Sequence, residues 1–426
     1  MPAAQRIALI GVAVLSVIAI AVVVVTLQDS GSSPSASASA APSEASSEPR
    51  PSGSVEASDE LLAELAEIEA QVIEIRGLPA AEIGPPDLIT RAELADELQR
   101  IFDEEYPPED RERDTIALTA LGLLEEGQDI GELQLQLLGD SVLGFYDDVD
   151  RRMVIVTDAG LDPAARMTYA HEYAHALQDA AFDFDSLETD APGEDDRGLA
   201  RTALIEGDAS VVMLVWAFSN LSPEELLEAG TGTPLPDTSG IPSWMVTQLE
   251  FPYTTGLDWA SNVVGNPLAP NFGAIDEAFG SPPDSTEQII DFAKWETREA
   301  PVAIEEIDLA GALGDGWTEV DATPLGQAMI EIMLDYHGAQ GAAVAASGWG
   351  GDRAVVASGP DDAFALAWRL AWDTPADAAE FGAAYRSIVD TLGFPASVTE
   401  LANGELLVVH ASSEDLLRRT QDAADG

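Results

Sequence analysis

Beyond residue 58 the apolar positions recur at three- and four-residue spacing, the signature of amphipathic helices, with short strand-like runs between them. Leu61, Leu62, Leu65, Ile68, Val72 and Ile75 mark one face of a helix opening at Ser58 or Asp59. A second helix is predicted from Thr90 to about Phe102, because Thr90 and Glu93 have capping-box spacing. A third is predicted from Asp114, covering Ile116 to Leu124. Val142–Tyr146 and Met153–Val156 flank the turn residues Asp147, Asp148 and Asp150, the pattern of a β-hairpin. Asp162 followed by Pro163 reads as an N-cap with proline at the first helical position, so a helix should run through Gln178 or beyond. Another long helix fits Gly198–Asn220.

Residues 230–285 are rich in glycine, proline and turn formers, and read as an irregular lobe whose Trp244, Phe251, Tyr253 and Trp259 need burial. Thr323-Pro324 repeats the N-cap and proline pattern and predicts a helix to about Ala346. Strand-like runs at Arg353–Val356 and Ala363–Trp372, a helix over Thr374–Leu392, a strand over Glu405–His410 and a helix from Ser412 make a small α+β unit. Trp349 to Arg353 reads as a tight turn held by an Asp–Arg pair, and Asp284 with Glu287 as a helix cap.

The N-terminus differs in kind. Ile7–Leu27 is 21 residues of almost unbroken apolar character, long enough to span a hydrocarbon core of ~30 Å. Arg6 precedes it and Asp29 follows, so the positive-inside rule puts everything after Asp29 outside the cytoplasm. The alternative is a cleaved signal peptide, with Ala36-Ser37-Ala38 as the cleavage site and a secreted product. Residues 29–57 are Ser-, Ala- and Pro-rich and too poor in large apolar side chains to offset the entropy of ordering, which predicts a flexible tether. The expected organisation is a transmembrane anchor at 1–28, the tether at 29–57, a main domain at 58–300, a smaller α+β subdomain at 301–416 and a flexible tail at 417–426.

Acidic residues outnumber basic ones 77 to 19, a net charge of −58, which excludes nucleic acid as a partner and argues against docking on anionic lipid. The acidity fits a self-repelling soluble body, and no D-x-D-x-D-G calcium loop is present. The chain has no cysteine, so disulfides, thiolate–zinc sites, iron–sulfur clusters and cysteine nucleophiles are excluded.

One segment carries chemistry: His171-Glu172-Tyr173-Ala174-His175. Two histidines at i and i+4 lie on one helix face, where both imidazoles reach a single metal ion. The intervening Glu172 is offset around the helix and is free to act as a base on water. The chain has only four histidines, and half of them stand at this spacing.

The run from His171 to Asp179, with an aspartate four residues past the second histidine, resembles the active-site helix of the thermolysin-like zinc peptidases, the gluzincins. The resemblance is specific for roughly residues 140–215. It implies a zincin-like α+β core, a Zn2+ cofactor and a third ligand, a glutamate on the next long helix. Glu206, 31 residues after His175 and among Leu204, Ile205, Val211 and Val212, fits that place; Asp208 and Glu188 are the other acidic candidates. Two features depart from the family pattern. Ser210 stands where the family has an aspartate that orients a histidine, so Asp208, Asp179 or another group is expected to substitute. No local motif selects the oxyanion-stabilising residue among Tyr253, His337 and His410.

The resemblance implies a zinc metallopeptidase acting on peptide or protein substrates, with Glu172 as general base, and the N-terminal segment makes it membrane-anchored and outward-facing. Met153–Val156 is then expected to be the sheet edge that pairs with an extended peptide. The alternative is an exported zinc-containing binding or envelope-associated protein without proteolytic activity.

Overall fold

The computed structural model describes residues 58–425 except 126, 158–160, 233–237 and 267–268; the anchor and tether expected at 1–57 lie outside the described residues. The architecture is mixed α+β. The first part comprises α1 (Asp59–Arg76), β1 (Asp87–Ile89), α2 (Arg91–Glu105), α3 (Pro108–Ala120), α4 (Ile130–Ser141), β2 (Gly144–Asp147) and β3 (Arg152–Val156). Then come α5 (Pro163–Phe182), α6 (Asp195–Asn220), α7 (Pro223–Gly232), α8 (Ser243–Val264), α9 (Phe272–Gly280), α10 (Thr286–Ile290) and α11 (Phe292–Thr297). The remainder is α12 (Leu309–Leu313), β4 (Thr318–Thr323), α13 (Gly326–Tyr336), α14 (Ala342–Ala346), β5 (Trp349–Ser358), β6 (Phe364–Trp372), α15 (Pro375–Ile388), β7 (Ala396–Glu400), β8 (Leu406–Ala411) and α16 (Glu414–Ala424).

A small sheet has the order β1-β3-β2, with β3 parallel to β1 and antiparallel to β2. The two-residue period of β3 splits its side chains. Met153 and Ile155 pack with α1, α5 and α6, while Val154 joins Phe145 and the Leu94, Leu98 and Ile101 stripe of α2. Strand β3 is therefore the centre of this sheet. The expectation that Met153–Val156 offers the peptide-pairing edge is wrong, because β1 fills that side; the free edge beside the α5 helix is β2.

Helix α6 is apolar nearly all round because it is buried on both sides. Ala209, Val212, Met213 and Trp216 face α1 and α5, and Leu199, Ala203, Leu204 and Val211 face α8 and α9. By length and composition α6 passes for a membrane span, but 78% of its apolar window is buried, which marks a core helix. Helices α6 and α8 cross at two glycines. A Cβ at Gly256 would lie 2.6 Å from the Ala203 carbonyl oxygen, and one at Gly207 would run into the Gly256 carbonyl. This crossing corrects the expectation of an irregular lobe at 230–285. Most of it is helical: α8 tolerates Pro252 in its interior, and burial of Trp244, Phe251, Tyr253 and Trp259 outweighs the helix-breaking composition.

The larger sheet is antiparallel, in the order β4-β5-β6-β8-β7. Along β8, Leu406 and Val408 face α3, α13 and α15, and Leu407 and Val409 face α12 and α16. The first of these cores also contains Phe102, Leu118, Leu121 and Trp244, so it crosses the boundary expected at residue 300. Strands β4 and β7 were not anticipated. Thr323 ends β4 and does not cap a helix; α13 begins at Gly326, where Asp352 accepts the Leu325 and Gly326 N–H groups at 2.9 Å each. Asp352 also accepts the indole N–H of Trp349 and Trp368, so the expected tight turn at 349–353 is the start of β5. Three further boundaries differ: α3 starts at Pro108, the cap near 284 is Ser285, and α16 carries ordered chain to Ala424 where a flexible tail was expected from 417.

Gly256→Ala should lower stability by about 1–3 kcal/mol, because the methyl meets fixed backbone; urea unfolding checks this. Burial also pushes the Asp196 carboxyl from the usual 3.8 up to about 7, against two hydrogen bonds from Thr286, and raises Glu287 from 4.5 to about 7 against Lys294. Acids with raised folded pKa values stabilise most below their unfolded values, and that contribution is lost as pH rises through the folded ones. Unfolding midpoints should therefore fall between pH 5 and pH 8, and Asp196→Asn should flatten the fall.

Candidate metal centre

Asp162 caps α5 by accepting the Ala165 N–H at 2.8 Å, with Pro163 at the first position, as its sequence predicts. This fixes the phase of a helix whose 171–175 segment faces α6. His171 Nε2 lies 3.0 Å from Glu206 Oε2, His175 Nε2 3.2 Å from the same oxygen, and the two Nε2 atoms are 3.0 Å apart. His171, His175 and Glu206 are 1, 4 and 0% exposed. The sequence-predicted trio is thus brought together, and it is a group that can hold a metal ion. Asp208 and Glu188 do not join it: Asp208 pairs with Arg76, and Glu188 faces Arg197 and Arg201.

The donor set fits a small divalent ion. Nitrogen and oxygen ligands of tetrahedral zinc, ~2.0–2.1 Å from the ion, stand ~3.3 Å from one another, close to the triangle observed. The tautomer of His175 also fits. The Gln178 amide nitrogen donates to Asp208 Oδ2 at 2.8 Å and to the Ile205 carbonyl at 3.1 Å, so its oxygen must face His175 Nδ1 at 2.8 Å. In the neutral ring Nδ1 then carries the proton, and Nε2 is the nitrogen left to ligate a cation. Glu206 Oε1 is buried with no hydrogen-bond partner, as is His171 Nδ1. A carboxylate in that position wants a cation.

The charges respond to the crowding. Burial opposes ionisation of Glu206, yet the two imidazoles outweigh it and hold the carboxyl at about 2. Burial pulls His175 down, but Glu206 and Glu172 carry it up to about 9. His171 is lowered, by burial first and by His175 second. Glu172, buried beside them, is pushed up to about 8 by desolvation, with Glu206 adding to the effect. Its Oε2 accepts the Tyr146 N–H at 2.9 Å, an outward-facing amide of the free β2 edge. The same tyrosine's hydroxyl donates to Asp179 at 2.9 Å. A cavity of about 280 Å³ lies beside them, lined by Pro79, Ala81, Ile83, Tyr146, Ala176 and Asp179. Ala176 and Asp179 continue the Glu172 face of α5.

Tyr253 is the one oxyanion candidate that reaches the centre. The α6–α8 crossing turns its hydroxyl toward Glu206, and its ring centroid is 6.1 Å from that of His171. Burial first, and Glu206 and Glu172 after it, raise its pKa far above the usual 10, so it remains a donor. His410 is buried in the larger sheet against Tyr385 and the Ala120 carbonyl, and His337 faces Gly122. The orienting group of His175 is neither Asp208 nor Asp179 directly. It is Gln178, which sequence reasoning passed over although it lies one turn beyond His175 on the same face.

Residues 315–423 match the model of a domain of unknown function (DUF8575), which corresponds to the larger sheet and its helices and contains none of the three converging residues. No curated protein and no solved structure matches the chain.

The intact chain should bind one equivalent of a divalent transition metal, and His175→Ala or Glu206→Gln should abolish it. Saturation at 1,000 times Kd stabilises a fold by about 4 kcal/mol, so a chelator should lower the melting temperature of the wild type and leave both variants unmoved. Elemental analysis and calorimetry report the two quantities.

Proposed function

We propose that this chain is a membrane-anchored, extracytoplasmic zinc metallopeptidase with a gluzincin-like centre of His171, His175 and Glu206. The observation that carries the reading is the meeting of these three donor atoms within 3.2 Å, with Glu172 held alongside on the free edge of a sheet. When bound, zinc supplies Lewis-acid polarisation of a carbonyl and lowers the pKa of water from 15.7 to about 7.

The chain's own groups do the rest. Tyr146 N–H fixes Glu172 Oε2, which leaves Oε1 to take a proton from water and to hand it to the departing amine. A cation in the neighbouring triangle draws the Glu172 pKa back down from about 8, into the range suited to a base. Tyr253, kept protonated, donates to the oxygen on which charge develops. Gly144 and Tyr146 lie on the β2 edge, where the Tyr146 amide is taken by Glu172 and the Gly144 amide and the two outward carbonyl groups offer main-chain hydrogen bonds to an extended peptide. The anchor and the outward orientation rest on the Ile7–Leu27 segment and its flanking charges.

A second reading has one observation in its favour: Glu172 is only 3% exposed. A centre so enclosed also suits a structural metal in an exported binding or envelope-associated protein. Glu172→Gln separates the two. The expected outcome is unchanged zinc content with hydrolysis of quenched peptides reduced ~100- to 10,000-fold, and Tyr253→Phe should lower kcat ~100- to 1,000-fold. A zinc-loaded wild type that turns over no member of a broad peptide library supports the second reading.

A further inference from the structure

We infer that Arg76, the last residue of α1, is a positioning residue for the metal centre, holding His175 in its ligating orientation through Asp208 and Gln178. This rests on the metal-site reading above and extends it to a helix in which the sequence shows no chemistry.

The chain of contacts is continuous and dry. Arg76 has a fully buried side chain whose Nε donates to Asp208 Oδ2 at 2.9 Å and whose Nη2 donates to Asp276 Oδ1 at 2.7 Å. The rings of Phe272 and Phe182 flank the guanidinium at 5.0 and 5.8 Å. Asp208, also fully buried, receives Gln178 Nε2 on the same oxygen at 2.8 Å. Gln178 in turn receives His175 Nδ1 at 2.8 Å. Three side chains therefore link the end of α1 to a ligand on α5, by way of α6.

Arg76 Nη1 and Asp208 Oδ1 are buried without a partner, but the Gln178 amide has one orientation that suits all three of its neighbours. If the Gln178 amide turned over, its oxygen would face two acceptors, Asp208 Oδ2 and the Ile205 carbonyl. It would also present N–H to His175 Nδ1, which would then hold the lone pair and leave Nε2 protonated. The site would lose a donor. What prevents the turn is this pair of acceptors, and what holds Asp208 Oδ2 in place among them is Arg76 Nε. Without the guanidinium Asp208 loses its buried partner, turns toward other donors and releases Gln178. Groups of this kind, once removed, cost a metal site 10–100-fold in affinity. The competing account is that Arg76 merely bolts α1 to α6 and α9, in which case its loss lowers stability and leaves the centre alone.

The test uses the full chain in detergent. Zinc affinity is measured by chelator competition for the wild type, Gln178→Leu, Arg76→Lys and the charge-balanced pair Arg76→Met with Asp208→Asn, which avoids stranding a buried charge. The expected result is at least a 10-fold loss for Gln178→Leu and for the pair, with helix content unchanged, and partial rescue by Arg76→Lys. A pair that folds and binds zinc within twofold of the wild type overturns the inference while leaving the metal site standing. A wild type that takes up no zinc overturns both. A second readout needs no variant: in the zinc-loaded wild type the His175 Nδ1–H should give a sharp, slowly exchanging proton resonance. Its absence overturns the inference even if every variant unfolds.

Discussion

A carboxylate with no solvent exposure stands at the meeting of three helices, and most of the N-terminal half is arranged around it. Glu206 sits on α6, with α5 on one side and α8 on the other. An isolated charge there would cost several kcal/mol, so the fold surrounds it with groups that hold or share charge. The imidazoles of α5 come from one side and the Tyr253 hydroxyl from the other. The approach is close because Gly207 meets Gly256 at the α6–α8 crossing, with only alanines, Ala203 and Ala260, beside them. A larger residue at either glycine would push α8 away and take Tyr253 out of reach of Glu206. The geometry of the site and the packing of the core are therefore one constraint.

The extreme acidity of the chain makes its few cations informative. With 19 basic residues against 77 acidic ones, any cation can be partnered many times over, and those inside the fold stand at joints. Arg152 bridges Glu97 of α2 and Asp147 of β2, and so ties a helix to the hairpin. Arg166 links α5 to Glu225 of α7, and Lys294 gathers Glu287, Glu299 and Asp373 from three separate segments. Exposed pairs of this kind contribute little each. Among the described residues the pair of Arg76 with Asp208 is fully buried, and it leads to a candidate ligand.

What could be read from the sequence follows from the range of each interaction. His171, Glu172 and His175 were legible because their relation is fixed by helix periodicity within one turn. Glu206 was legible only through the family resemblance, which asks for a glutamate on the next long helix, and through its apolar neighbours Leu204, Ile205, Val211 and Val212. The hairpin and the caps at Ser58, Thr90 and Asp162 are equally local. By contrast, whether β3 is an edge depends on β1, more than sixty residues earlier in the chain. Helix α8 depends on Gly256, a residue that signals a turn in isolation but here allows close packing. Gln178 was within reach, one turn past His175, but its role shows only when Asp208 and the Ile205 carbonyl occupy its amide. Arg76 carried a faint signal as the lone cation ending a helix of acids.

The C-terminal sheet, the part that matches a domain of unknown function, contains no candidate ligand, yet it governs where Glu206 lies. Helix α6 starts at Asp195, whose N–H donates to Thr323 Oγ1 at the end of β4. Its next residue, Asp196, accepts the Thr286 N–H, and the Thr286 hydroxyl receives the Ala328 N–H of α13. Gly326, with φ of 73°, has no room for a side chain because Asp196 fills the place where a Cβ would stand. Asp352 fixes the same turn from β5. The N-terminal end of α6 is thus tied to the sheet domain through Thr323 and, by way of Thr286, through Ala328, and a rigid helix transmits that placement to Glu206, about 15 Å further along at ~1.5 Å per residue. A domain that contributes no atom to the centre can therefore still fix one of its three donors, which gives a physical reason for the two halves to share one core across residue 300.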